Sequence, residues 1–192
     1  MGVEIKFLHA LEVLHNPILD RIMLFITRLG DNSFIWFLIS GILILLPTKK
    51  MQEKNYDDKY EDKIKKRKKL GWAILAAEFM SMLVVNFFLK IIVGRPRPFY
   101  VDNTLFENTN KIASMLPTHT SFPSGHTSGA FAAAFLIIFY YKKSGIAAIG
   151  LASLIAFSRM YFFVHYPTDI LGGIVVGFIC AKVANVFAEE MA

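Results

Sequence analysis

Three groups of polar residues interrupt an otherwise apolar chain, and their types fit one chemistry. Lys90 stands ahead of Arg95-Pro96-Arg97-Pro98, then comes Pro123-Ser124-Gly125-His126, and Ser158-Arg159 precedes His165 and Asp169. Lys90, Arg97 and Arg159 supply fixed positive charge, and arginine presents a planar fork that matches phosphate oxygens two at a time. Ser124 and Gly125 come just before an apolar helix, where unpaired amides and the helix dipole favour an anion, and glycine lets the backbone approach closely. Two histidines beside a phosphoryl group divide the labour. One attacks phosphorus, and the other, protonated, hands a proton to the departing oxygen. Pro167 breaks the helix after His165 and begins the next, which leaves Asp169 in its first turn. From there Asp169 fixes the tautomer of His165, frees the other ring nitrogen to attack, and stabilises the cation that forms.

The elements that position these residues read as membrane spans. The 192 residues suffice for one domain, and 55% apolar content is above what a soluble core of this size needs. A spanning helix takes ~20 mostly apolar residues, because it rises ~1.5 Å per residue through ~30 Å of hydrocarbon. Residues 70–90, 126–141, 145–164 and 169–187 meet that test, with a shorter run at 33–46. The expected fold is all-α: a polytopic transmembrane bundle of five or six spanning helices, preceded by an amphipathic N-terminal segment over residues 1–30. Asn16-Pro17 should divide that segment into two short helices lying along the interface. Glu4, Lys6 and Glu12 interrupt its apolar positions, so it does not read as a cleaved signal.

Charge sets the expected orientation. Residues 48–69 hold ten Lys or Arg against five Asp or Glu, which is +5 of the chain's +6. Such a run marks a cytoplasmic loop, and Lys142-Lys143 repeats the signal in the next turn on that face. Threading the spans alternately puts the 94–125 loop and the 165–168 turn together on the outer face, with the C-terminus inside. The basic run reads as a solvated, topology-setting loop rather than a nucleic-acid site.

The chain resembles the type 2 phosphatidic acid phosphatases, which share a fold core with vanadium haloperoxidases and glucose-6-phosphatase. Their three-part signature stands here in order: Lys90 with six residues before Arg97-Pro98, then Pro123-Ser124-Gly125-His126, then Ser158-Arg159, His165 and Asp169. The resemblance implies that Lys90, Arg97, Ser124, Gly125 and Arg159 bind the substrate phosphate. His126 would be the general acid, His165 the nucleophile and Asp169 its partner, with no metal and no cofactor. It further implies hydrolysis of a lipid phosphate or pyrophosphate in a bacterial-type plasma membrane. Small undecaprenyl pyrophosphate phosphatases are the nearest kind, with phosphatidylglycerophosphate or phosphatidic acid as alternative substrates. A haloperoxidase-like oxidoreductase holding vanadate in the same pocket is the remote alternative.

Other polar residues are expected to be structural. Glu78 falls mid-span, where an ionised carboxylate is expensive, and should hydrogen-bond between helices. Asn86 lies one turn before Lys90. Small residues at Gly129, Ala133, Gly150, Ser153, Gly173 and Gly177 should permit close helix contacts. Residues 99–122 have the length and mixed polarity of a lid, with His119 as a bystander. The single cysteine, Cys180, allows no intrachain disulfide.

Overall fold

Asn16 accepts hydrogen bonds from the amides of Ile18 and Leu19, and Pro17 takes the first helical position. The N-terminal run therefore divides where its Asn-Pro pair predicts, into α1 (Val3–Leu11) with a trailing 3-10 turn and α2 (Pro17–Leu29). The structure, a computed structural model, describes residues 2–46, 58–105 and 120–190. Residues 47–57 of the basic loop and residues 106–119, which make up most of the expected lid and include His119, lie outside that set.

After a break at Asp31–Ser33 comes α3 (Phe34–Leu45), bent by 53° from α2. Jointly the two are apolar and long enough for one broken span. Thus α2, expected along the interface, pairs with α3. The apolar face of α1, which buries Ile5, Leu8 and Leu11, belongs to a cluster with Phe99, Leu105 and Tyr161 to Val164.

Asp58–Leu83 begins the long helix α4, which widens to a π segment over Val84–Leu89 and resumes as Lys90–Val93. Its apolar portion is counted within Tyr60–Val93, 34 residues. At ~1.5 Å per residue that is ~50 Å, so the lysine-rich first turns extend past a ~30 Å hydrocarbon layer. A short α5 (Pro98–Val101) leads toward the next three helices: α6 (Gly125–Tyr140), α7 (Lys142–Tyr161) and α8 (Pro167–Glu190). Both α7 and α8 are long and apolar enough to cross a membrane.

At 16 residues α6 is short for a span, yet it packs against α4, α7 and α8 and is buried almost throughout. Enclosed by protein, it need not match the lipid thickness. Close approach of α8 makes this possible: a Cβ on Gly177 would meet the Ser128 carbonyl at 2.6 Å, and one on Gly173 the Ser124 carbonyl at 2.8 Å. Gly150, expected in the same role, faces open space instead. Ser81 and Ser128 hydroxyls share a 2.6 Å hydrogen bond between α4 and α6, and Ser40 donates to the Gly71 carbonyl at 2.7 Å between α3 and α4.

The two ends of the bundle differ in kind. At one end Lys66 lies over the Tyr141 ring, 5.3 Å from its centroid, which brings the basic start of α4 beside Lys142 and Lys143 at the start of α7. At the other, the C-termini of α4 and α7 meet the N-termini of α6 and α8, and every motif residue lies there.

Candidate active site

Lys90, Arg97, Gly125, His126, Arg159 and His165 line one cavity of about 180 Å³. At ~30 Å³ per water, it has room for a phosphoryl group and a few waters. Local chain turns bring these residues together. The π segment alters the facing of everything beyond it, including Lys90, and such segments recur at functional sites. Gly94 then ends α4 in the left-handed region, φ 58°, a conformation glycine adopts without penalty. The reversed chain is strapped down by the Ser121 amide, which donates to the Arg95 carbonyl at 2.7 Å. Phe163, also at positive φ (53°), turns the chain after α7 so that His165 comes back over the cavity.

His165 is buried between charges of opposite sign. Its Nδ1 faces Oδ2 of Asp169 at 3.4 Å, and its Nε2 faces Nη1 of Arg97 at 3.4 Å. Arginine has only donors, so the Nε2 facing it carries a lone pair and Nδ1 the proton, a tautomer assigned from this contact pattern. Burial, reinforced by the positive charges of Arg97, Arg159 and Lys90, holds the His165 pKa well below the ordinary histidine range. The ring is therefore neutral at neutral pH. Arg97 is likewise pushed down by burial, to about 10, which still leaves it a cation. It donates to the Val164 carbonyl at 2.9 Å.

Asp169 is fully buried and well fastened. Oδ2 accepts from the Tyr166 amide at 2.8 Å, and Oδ1 accepts from Arg95 Nη1 at 2.8 Å. Arg95 also stacks on the Tyr166 ring, 3.7 Å from its centroid, and its Nη2 donates to Glu4 of α1 at 2.6 Å. Burial opposes charge on Arg95, but the hydrogen bond to Glu4 and the charge of Asp169 prevail and hold its pKa above the usual value. Glu4 in turn accepts from the amide and hydroxyl of Thr168, at the start of α8.

The two helix-start residues stand in different settings. Ser124 is the N-cap of α6: its hydroxyl accepts from the Thr127 amide and hydroxyl, and its own amide donates to the Asp169 carbonyl at 3.1 Å. Gly125, by contrast, lines the cavity with His126. Arg159 donates through Nη1 to Thr27, and its Nε has no hydrogen-bond partner among the described residues. Glu78 is buried one turn of α6 below His126, near Gly129 and Ser33, and borders the same cavity. Neither of its oxygens has a helix-bridging partner of good geometry among the described residues.

Several neighbours of the site carry no motif: Glu4, Thr27, Gly30, Asp31 and the supporting role of Arg95. The signal for Asp31 is thin, a Gly-Asp-Asn-Ser run between apolar stretches that reads simply as a turn.

Buried cations, two histidines and a fastened carboxylate at the end of a membrane-type helix bundle define a membrane phosphohydrolase. The chain belongs to the PAP2 superfamily, which it matches over residues 69–190, and is a membrane lipid phosphatase of that group. Undecaprenyl-diphosphatase BcrC of Bacillus subtilis is 30% identical over 182 residues, 93% of this chain and 80% of the relative. An undecaprenyl-diphosphatase of Sulfolobus acidocaldarius is 24% identical over 92% of this chain and 74% of its own length. The crystal structure of a PAP2-type phosphatidylglycerolphosphate phosphatase from B. subtilis superposes with a TM-score of 0.68 at 24% identity, covering 98% of this chain and 86% of that one. Aquifex aeolicus LpxE gives 0.62 at 22% identity, over 96% and 95% of the two chains. At these identities the structural likenesses carry the fold alone.

Proposed function

We propose that this phosphatase converts undecaprenyl pyrophosphate to undecaprenyl phosphate through a phosphohistidine at His165. The observation that carries the mechanism is the setting of that ring, neutral and buried, with Nδ1 toward Asp169 and Nε2 toward Arg97. Nε2 attacks the terminal phosphorus and the bond to the leaving oxygen breaks. His126 delivers its proton to that oxygen. Lys90, Arg97 and Arg159 take up the charge on the phosphoryl oxygens, helped by the amide at Gly125. Water then attacks the phosphohistidine with His126 as base, which releases inorganic phosphate and restores both histidines.

Three side-chain cations in one small cavity do the work a divalent ion would do in another phosphatase, so turnover needs no metal. Ser124 contributes by capping α6 and presenting Gly125. For the substrate, support comes from the relatives named undecaprenyl-diphosphatase, one of them 30% identical over nearly the whole chain. The site opens on the outer face of the membrane, with residues 48–69 and the C-terminus cytoplasmic; lysines gathered at the opposite end of the bundle support this.

The deciding experiment is a panel assay of the purified protein in detergent. Undecaprenyl pyrophosphate should exceed phosphatidylglycerophosphate and phosphatidic acid in kcat/KM by tenfold or more. A preference for either phospholipid would reassign the substrate and leave the chemistry in place.

A further inference from the structure

The elbow between α2 and α3 lies outside all three motif segments, yet it touches two residues of the phosphoryl-transfer site. Thr27 accepts from Arg159 Nη1, and Asp31 Oδ1 lies 2.8 Å from Nε2 of His126. Gly30 packs so tightly that a Cβ there would meet Cδ2 of the His126 ring at 3.0 Å and Cγ2 of Ile155 at 2.8 Å. The backbone that achieves this is strained. Asn32 and Ser33 are consecutive non-glycine residues at φ 48° and 57°. Left-handed positions cost such residues ~1–2 kcal/mol each and persist where the surroundings impose them.

We propose that Asp31 is a positioning residue for the general acid. This rests on the phosphatase reading above. Its carboxylate accepts the Nε2 proton of His126 and pins the ring against Gly30. The opposite edge, which carries Nδ1, is turned away from the elbow and holds the proton that is donated. As the bond from His165 to phosphorus forms and the phosphorus–oxygen bond breaks, that Nδ1 proton moves to the leaving oxygen. Asp31 remains a carboxylate throughout. The second histidine thus has an orienting carboxylate of its own, supplied from 95 residues away by a segment that contributes nothing to the motif set.

The inference is tested by giving the full-length protein two substrates that differ in their need for an acid. Phosphatidic acid must lose an alkoxide, which leaves only when protonated. p-Nitrophenyl phosphate loses a nitrophenolate, which leaves without help. Positioned acid–base groups contribute ~10²–10⁴-fold, so Asp31→Asn should lower kcat on phosphatidic acid at least tenfold, with KM changed less than twofold. The loss on p-nitrophenyl phosphate should stay under threefold. Asp31→Glu should recover part of the loss, and His126→Ala should show the same split between substrates. Equal losses on both substrates, or no loss on either, overturn the proposal. Should Asp31→Asn fail to fold, 15N histidine NMR of the unmodified protein decides, with the His126 signals assigned through His126→Gln. A proton on Nε2 of His126 at the pH of turnover is required, and its absence overturns the proposal. A wild-type protein that releases phosphate from neither of these substrates nor from undecaprenyl pyrophosphate overturns the phosphatase reading itself, a result distinct from an unsplit loss.

Discussion

Arg95 joins the first turn of α1 to the buried Asp169 at the start of α8: Nη1 is 2.8 Å from Oδ1 of Asp169 while Nη2 is 2.6 Å from Oε2 of Glu4. Asp169 is fully buried and Arg95 about a quarter exposed. Removing one member of a buried ion pair costs ~3–5 kcal/mol, and the exposure of Arg95 reduces this to roughly 1–3. Arg95→Gln should therefore lower the midpoint of thermal unfolding in detergent. It should also reduce kcat by about tenfold, well short of the ~10⁴-fold that a misoriented base costs in a triad. Glu4→Gln should show the same changes on a smaller scale. An Arg95→Gln protein with unchanged kcat would separate the N-terminal helix from the chemistry.

His165→Ala should abolish phosphate release and leave the elution profile and unfolding midpoint of a folded protein. Rapid acid-free quench of the unaltered enzyme with 32P-labelled substrate should trap label that is stable to base and lost in acid, the behaviour of a phosphoramidate. Full release by the alanine variant would remove His165 from the mechanism.

Histidine burial has a consequence for acid stability. The His165 pKa is depressed in the folded protein, so as pH falls below the ordinary value of 6.5 the unfolded chain binds a proton that the folded chain refuses. Stability attributable to this residue is intact above about 6.5 and declines as pH falls toward the folded value. Denaturant unfolding of wild type and His165→Gln from about one pH unit above the ordinary histidine value to about one and a half below it should show a smaller acid loss in the variant. Parallel curves would mean that the ring is not held neutral.

Chelation supplies another check. If Lys90, Arg97 and Arg159 carry the charge neutralisation as proposed, turnover should persist in excess EDTA, and Arg159→Gln should cost about 10²-fold or more in kcat/KM, the scale of losing one donor to a developing anion. Loss of activity in EDTA with recovery on adding magnesium would count against it.

The contact of α6 with α8 is tight enough to be probed by one methyl group. A Cβ at Gly177 would sit 2.6 Å from the Ser128 carbonyl oxygen, a backbone atom that cannot step aside. Gly177→Ala should destabilise by roughly 1–3 kcal/mol, read as a lower unfolding midpoint. Gly150→Ala, with open space around it, should be neutral and serves as the control.

Much of this molecule is legible in the chain itself. Residues 145–164 and 169–187 become α7 and α8 because long apolar runs leave a membrane helix little alternative, and the cations and histidines at the span ends gather at one end of the bundle. The α1–α2 division is legible too, through Asn16-Pro17. What escaped are features fixed by neighbours distant in sequence. Nothing local marks Val84–Leu89 as a π segment, since its residues suit an ordinary helical turn equally well. Nor does the sequence show that Ser124 caps α6 while its amide meets the carbonyl of Asp169. Asp31 is invisible for the same reason: an aspartate in a Gly-Asp-Asn-Ser turn is ordinary until His126 is found beside it.

Glu78 bears on how the chain is made. An acidic side chain at the centre of a membrane helix costs roughly 3 kcal/mol on insertion, and this one is sheltered by Ser33 at the start of α3 and Gly129 in α6. Synthesis delivers α3 before α4 and α6 well after it. Half of the shelter is thus waiting when Glu78 enters the membrane, and the other half arrives with the segment that bears His126. Until then an acid left facing lipid is costly, so insertion favours a position of α4 against protein rather than against hydrocarbon.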